Sequence, residues 1–137
     1  MIYDTAVRQF FDNNKGLIAL VIDFARLDSH HFFTPASAEF QLGFGCVDKG
    51  HSFDPHIHKT APRSISNTSE FIYVLSGRLS IQLYDVMENK LDNIRVAPGC
   101  AILQFFGGHA ISADKNTRYF EIKQGPYVSK DFDKYLI

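Results

Sequence analysis

Between Gly43 and Pro126 the chain alternates short runs rich in Val, Ile, Phe and Tyr with clusters of Gly, Pro, Asn and Asp, and no long segment carries a helical period. Side chains two apart share one face of a strand, whereas an amphipathic helix needs apolar residues recurring near every 3.6 positions. The pattern predicts nine short strands, at 18–24, 39–47, 54–58, 70–75, 78–84, 92–96, 100–105, 110–113 and 118–123. That many strands in so short a chain imply a sandwich or barrel. Turn chemistry agrees: Ser76-Gly77 is suited to close a hairpin between the strands of Ile72 and Leu79, residues 87–90 are polar enough for the next loop, and Pro98-Gly99 is a strong turn signal. At the ends the period changes. Val7, Phe10 and Phe11 stand at helical spacing within 3–13, which predicts a short N-terminal helix. The tail 128–137 sets Lys and Asp among Phe132, Tyr135 and Leu136, which predicts a short helix packed on the barrel or on a partner.

Composition narrows the classes of function. A chain of 137 residues fits one domain, here 1–137, with a barrel core over about 38–126. With 14 Lys+Arg against 15 Asp+Glu, the formal charge of -1 supplies no field that would favour nucleic acid or an anionic membrane as partner. Cys46 and Cys100 are far apart and fit neither C-x-x-C nor zinc-finger spacing; both are expected as small core hydrophobes. The longest nearly apolar run, 17–22, ends at Asp23, well short of the ~20 residues of a membrane helix. The expectation is a cytoplasmic protein with no membrane partner. Its many aromatic residues make a homodimer the expected assembly.

The stretch "DPHIHKT" raises the question of chemistry. On a strand, His56 and His58 would present two imidazoles on one face, close enough to converge on one ion. The same spacing suits two polar residues in a wet loop. The surrounding residues read G-x5-H-x-H…E-x6-G from Gly50 through Glu70 to Gly77, and Pro98-Gly99 leads through an apolar strand to His109 in "FFGGH". Over about 43–124 this arrangement resembles the cupin superfamily, and implies a double-stranded β-helix, the jelly-roll cupin barrel. Two departures stand in the sequence. Eleven residues separate His58 from Glu70, far more than the family's few, and Phe105 occupies the place of a proline, with His109 one residue early. The resemblance implies one divalent transition metal, Zn, Ni, Fe, Mn or Co, held by His56, His58, Glu70 and His109. The stretches "TSEFIYVLSGRLSIQLYD", "GGHA" and "FEIKQGPY" are similar to small bacterial cupins of surface-polysaccharide and nucleotide-sugar pathways. They imply a small-molecule substrate such as a sugar nucleotide.

Alternation suggests what else shares such a site. If Glu70 faces inward, so do Ile72 and Val74. Glu121 and Lys123 share one face of the last strand: pointing inward they are candidates for acid/base work or anion binding, and pointing outward they are an ordinary surface pair. Lys59 and Arg63, in the long loop after His58, are candidate substrate contacts. So is the phenol of Tyr73, although aromatic residues on strands usually pack. His30-His31 would serve as a lid, a subunit contact or an exposed turn. Three functional classes follow: an isomerase or epimerase in which a metal polarises a carbonyl and a nearby base moves a proton, a non-catalytic binding or regulatory module, and an Fe(II)-dependent dioxygenase.

Overall fold

A computed structural model describes residues 6–137, whose regular structure is almost wholly antiparallel strand. Two compact units divide the chain: residues 27–66, and the remainder on either side.

The larger unit begins with β1 (Val7–Phe11) and β2 (Leu17–Asp23), which form a hairpin with Val7 opposite Ile22 and Phe11 opposite Leu17. This corrects the helix expected over 3–13, whose residues 3–5 lie outside the described residues. The intervening "DNNKG" explains it. Asp12 Oδ1 accepts the amides of Asn14 and Gly16 at 2.9 and 2.7 Å, closing a tight turn, so the apolar partner strand overrides a weak helical spacing. A single 3-10 turn, Phe24–Arg26, follows β2.

After the smaller unit come β5 (Glu70–Ser76), β6 (Leu79–Tyr84), β7 (Lys90–Val96), β8 (Cys100–Gln104), β9 (Gly108–Ala113) and β10 (Arg118–Lys123), close to the predicted boundaries. They sort into a five-stranded sheet, β1-β2-β8-β5-β10, and a three-stranded sheet, β7-β6-β9. Ile72, Val74, Ile102, Ala19 and Val21 of the first sheet meet Leu79, Ile81, Leu83, Ile94 and Val96 of the second in one apolar cluster. Neither of these sheets closes into a barrel, and neither does the two-stranded third sheet described below, so the all-β class holds without the closed barrel that was one of the two architectures the strand count allowed.

The expected β5–β6 hairpin is also absent. β5 and β6 belong to different sheets, and Ser76-Gly77 carries the chain from one to the other. Gly77, at φ +84°, is required there because a Cβ would collide with the carbonyl oxygen of Asn116. The polar 87–90 segment does close the β6–β7 hairpin, and Pro98-Gly99 turns from β7 into β8. The C-terminal helix exists as one turn, α1 (Lys130–Asp133), whose N-cap Ser129 accepts the amide of Phe132.

In the smaller unit, β3 (His31–Phe32) pairs with β4 (Gly43–Phe44) as the two-stranded third sheet. Gln41 Nε2 donates to the carbonyls of Pro35 and Ala38, and Ser66 Oγ donates to Glu39 Oε1 at 2.9 Å. The strand expected at 39–47 is thus reduced to two residues, and that at 54–58 is absent. Pro55 and Pro62 cannot donate to a ladder, and Ile57, 93% exposed, has no apolar face against which to order its neighbours. Cys46 is exposed rather than in a core, whereas Cys100 packs on the main cluster.

Candidate functional site

One end of the larger unit gathers polar side chains that alternation aims inward. Glu70, the first residue of β5, lies opposite Gln104 of β8 on one side and Lys123 of β10 on the other. Glu121 lies opposite Ile72, so it and Lys123 take the inward side of β10, the first of the two orientations the sequence allowed. Lys123 Nζ stands 3.8 Å from Glu121 Oε1 and 5.5 Å from the centre of the Tyr127 ring. From the facing sheet, His109 on β9 brings Nε2 to 3.3 Å from Glu70 Oε2. Gly107 makes this approach possible. It turns the chain into β9 at φ +81°, where a Cβ would lie 2.5 Å from the carbonyl oxygen of Tyr84.

Gln104 sets the histidine's protonation. It is 5% exposed, its Nε2 donates to the carbonyl of Phe106 at 3.1 Å, and its Oε1 therefore faces His109 Nδ1 at 2.8 Å. An amide oxygen only accepts, so Nδ1 carries the hydrogen and Nε2 turns a lone pair toward Glu70.

The two ionisable groups are both pushed toward neutrality. Burial, a hydrogen bond to Glu121 and the charge of Glu121 raise Glu70 from 4.5 to about 7, against the opposing pull of Lys123 and Lys134. Burial, then the charge of Lys134, lower His109 below its ordinary value; Glu121 opposes this and Lys123 adds to it. Just below pH 7, and above the lowered pKa of His109, the Glu70–His109 contact accordingly joins two neutral groups rather than a standing ion pair. A single carboxyl proton on Glu70 has two acceptors, the Glu121 carboxylate and His109 Nε2.

These groups open onto a cavity of about 320 Å³ whose wall includes Glu70, Gln104, His109, Lys123, Lys134 and Asp85. Asp85 is committed elsewhere: its Oδ1 accepts the amides of Met87 and Asn89 and its Oδ2 accepts Asn89 Nδ2, which lowers its pKa and clamps the β6–β7 loop.

Tyr73 is on the opposite face of β5, stacked on Phe120 with ring centres 5.2 Å apart and tilted against Phe24 at 5.9 Å. His56 and His58 belong to the smaller unit, exposed and in irregular chain, yet their rings stand edge to face at 5.2 Å. The carbonyl of Asp54 lies 2.9 Å from His56 Nδ1, which leaves Nε2 of that ring as the free nitrogen. Lys59 and Arg63 follow in the same exposed segment. His30 and His31 pack edge to face on Phe32 and Phe33. Among the described residues no three His, Cys, Asp or Glu side chains gather as a metal centre.

Two participants went unread in the sequence. Gln104 had a signal, a lone polar residue ending the apolar run "CAILQ". Lys134 had none, because its place depends on where the tail returns. Comparison of the chain with protein-family models, curated proteins and solved structures finds no match.

Proposed function

We propose that the chain is an isomerase- or epimerase-type enzyme that moves a proton on a small polar molecule of the sugar or sugar-nucleotide class. One observation carries the reading: a carboxyl held near pH 7 on a cavity, between a carboxylate and an imidazole lone pair. Acid/base catalysis is most efficient when the group's pKa lies near the working pH. In this reading His109 Nε2 takes a proton from the carbon beside a carbonyl while Glu70 gives its proton to the carbonyl oxygen. Return of a proton to the neighbouring position completes the shift. A hydroxyl proton of the intermediate returns to Glu70, which the Glu121 carboxylate favours in its protonated form, and the Lys123 ammonium offsets the negative charge that builds up on oxygen. The cavity is at the small end of ligand sites, in keeping with one sugar ring. The sugar class itself rests on the resemblance of "TSEFIYVLSGRLSIQLYD" and "GGHA" to polysaccharide-pathway cupins.

The strand order supports a cupin-type reading of the fold. Consecutive strands pass between the sheets at β5–β6, β7–β8, β8–β9 and β9–β10, the alternation that winds a jelly roll.

The test is proton exchange. Incubated in deuterated water with a panel of nucleotide-linked keto sugars, the protein is expected to place one deuterium beside the carbonyl of its substrate, and Glu70→Gln and His109→Gln to abolish it. Compounds that raise the melting temperature without any exchange would instead establish a binding module.

A metal-assisted form of the reaction is favoured by a second observation: in both His109 and His56 the Nδ1 contact to an oxygen acceptor leaves the lone pair, the form that can ligate a metal, on Nε2. Glu70 and His109 are two donors at one point, fewer than a metal centre uses; the resemblance supplies His56 and His58 as the others. Bound, a divalent ion would polarise the carbonyl. Metal content of the purified protein, unchanged by His56→Ala with His58→Ala, would remove that form and leave the acid/base pair standing.

A further inference from the structure

The tail contributes Asp133, Lys134, Tyr135 and Ile137 to the wall of the cavity that holds Glu70 and His109. Its position is close: a Cβ built on Gly108, next to His109, would stand 3.4 Å from Ile137 Cδ1. Yet the segment is lightly held. The single turn of α1 buries no residue, Tyr135 and Leu136 are 72% and 83% exposed, and the backbone bonds of the turn are local, from Asp133 to Ser129 and from Lys134 to Lys130. A wall that covers a site while drawing its stability from one capped turn belongs to the part of a molecule that opens first.

We propose that residues 129–137 form a strap that closes this cavity, Ser129 being its hinge-side clasp and Lys134 the cation it presents to the Glu70–Glu121 carboxyls when no ligand is bound. The proposal rests on the cavity being the functional site, since a strap over an idle hollow would have nothing to admit. Lys134 fits the role because it lines the same cavity as Glu70 and His109, and its charge pulls the pKa of both downward. Opening removes that cation and uncovers Glu70, whose side chain is only 14% exposed with the strap closed.

Access to Glu70 can be measured without knowing the ligand. Labelling of carboxyls with a water-soluble carbodiimide and a bulky amine, read peptide by peptide, reports how often the cavity opens. Ser129→Ala removes the clasp and Ile137→Ser the apolar contact, and neither changes a charge. Each is expected to label Glu70 about fivefold faster than the unaltered protein, the factor that loss of one helix cap produces, while exposed Asp48 labels at an unchanged rate. Hydrogen exchange should show the amides of 130–137 far less protected than those of β8. Equal labelling rates in all three proteins, or tail amides as protected as β8, would overturn the strap. Deuterium incorporation into substrate is a separate measurement, so a failed strap and a failed catalytic reading give different results.

Discussion

Glu70 and His109 give opposite signatures in the pH dependence of stability, and both signs follow from their shifts. A carboxyl raised from 4.5 to about 7 keeps its proton in the folded chain where the unfolded chain has lost it. Between those values the folded state binds more protons, so the Glu70 contribution falls as pH rises from about 4.5 to about 7. His109 is lowered, so the unfolded state binds the extra proton and its contribution falls as pH drops below the ordinary histidine range. Glu70→Gln, which keeps the shape and a donor, is therefore expected to gain stability relative to the parent as pH climbs through that window, and His109→Gln to gain as pH drops. Urea midpoints from pH 4 to 8 check both; a Glu70→Gln difference that is flat with pH would show that the carboxyl is not held neutral. Gln104→Leu tests the tautomer. It leaves Nδ1–H unpaired, so the imidazole nitrogen shifts should lose the pattern of a single fixed tautomer while the fold is retained.

At the scale of elements, the two glycines that redirect the chain are the sharpest test of the topology. Gly77 and Gly107 each combine positive φ with a backbone carbonyl where a Cβ would sit, so alanine there is strained in conformation and in space. Each substitution is expected to cost about 1–3 kcal/mol. Gly99, at φ +80° with open space around it, bears only the conformational part, so Gly99→Ala should cost about 1 kcal/mol, and the ordering can be read from thermal midpoints. The strands from β5 to β10 were legible because alternation and turn residues agree there. Leu79, Ile81 and Leu83 are buried while Ser80, Gln82 and Tyr84 are only half-buried, as a period of two requires. The hairpin assigned to Ser76-Gly77 failed for a physical reason: a glycine with positive φ serves a two-residue turn and a crossing between sheets equally well, and the choice depends on where Thr117 and Asn116 arrive. Strands 39–47 and 54–58 failed because propensity without a partner makes no ladder. The site was half legible. Inward orientation made Glu70, Glu121 and Lys123 a group once alternation was granted, and His109 followed the glycine turn. Lys134 came from a tail whose return path no local pattern encodes.

For the molecule as a whole, the division into residues 27–66 and the flanking remainder makes a prediction about cutting the chain. Residues 51–66 are exposed and lack helix or strand, which suits proteolytic attack, whereas Arg78 and Arg95 sit on or beside the strands of the second sheet. Brief trypsin treatment is expected to cleave after Lys59 and Arg63 before either of these. The amino-terminal fragment then carries β1 and β2, and β2 lies between β1 and β8 with Ile18 through Ile22 all buried. Each fully buried aliphatic side chain favours association by ~1.5–3 kcal/mol, so the antiparallel β2–β8 ladder should hold the two fragments together in native buffer. Size-exclusion chromatography should show one species that separates only in denaturant. Every member of the Glu70, Glu121, His109, Lys123 and Gln104 group lies beyond the cut, in the carboxy-terminal fragment, and the falling stability between pH 4.5 and 7 should persist in the nicked protein. Loss of that pH signature on nicking, with the fragments still associated, would mean that the carboxyl's neutral state depends on 27–66, and would move the weight from the acid/base pair to the metal-assisted form that needs His56 and His58.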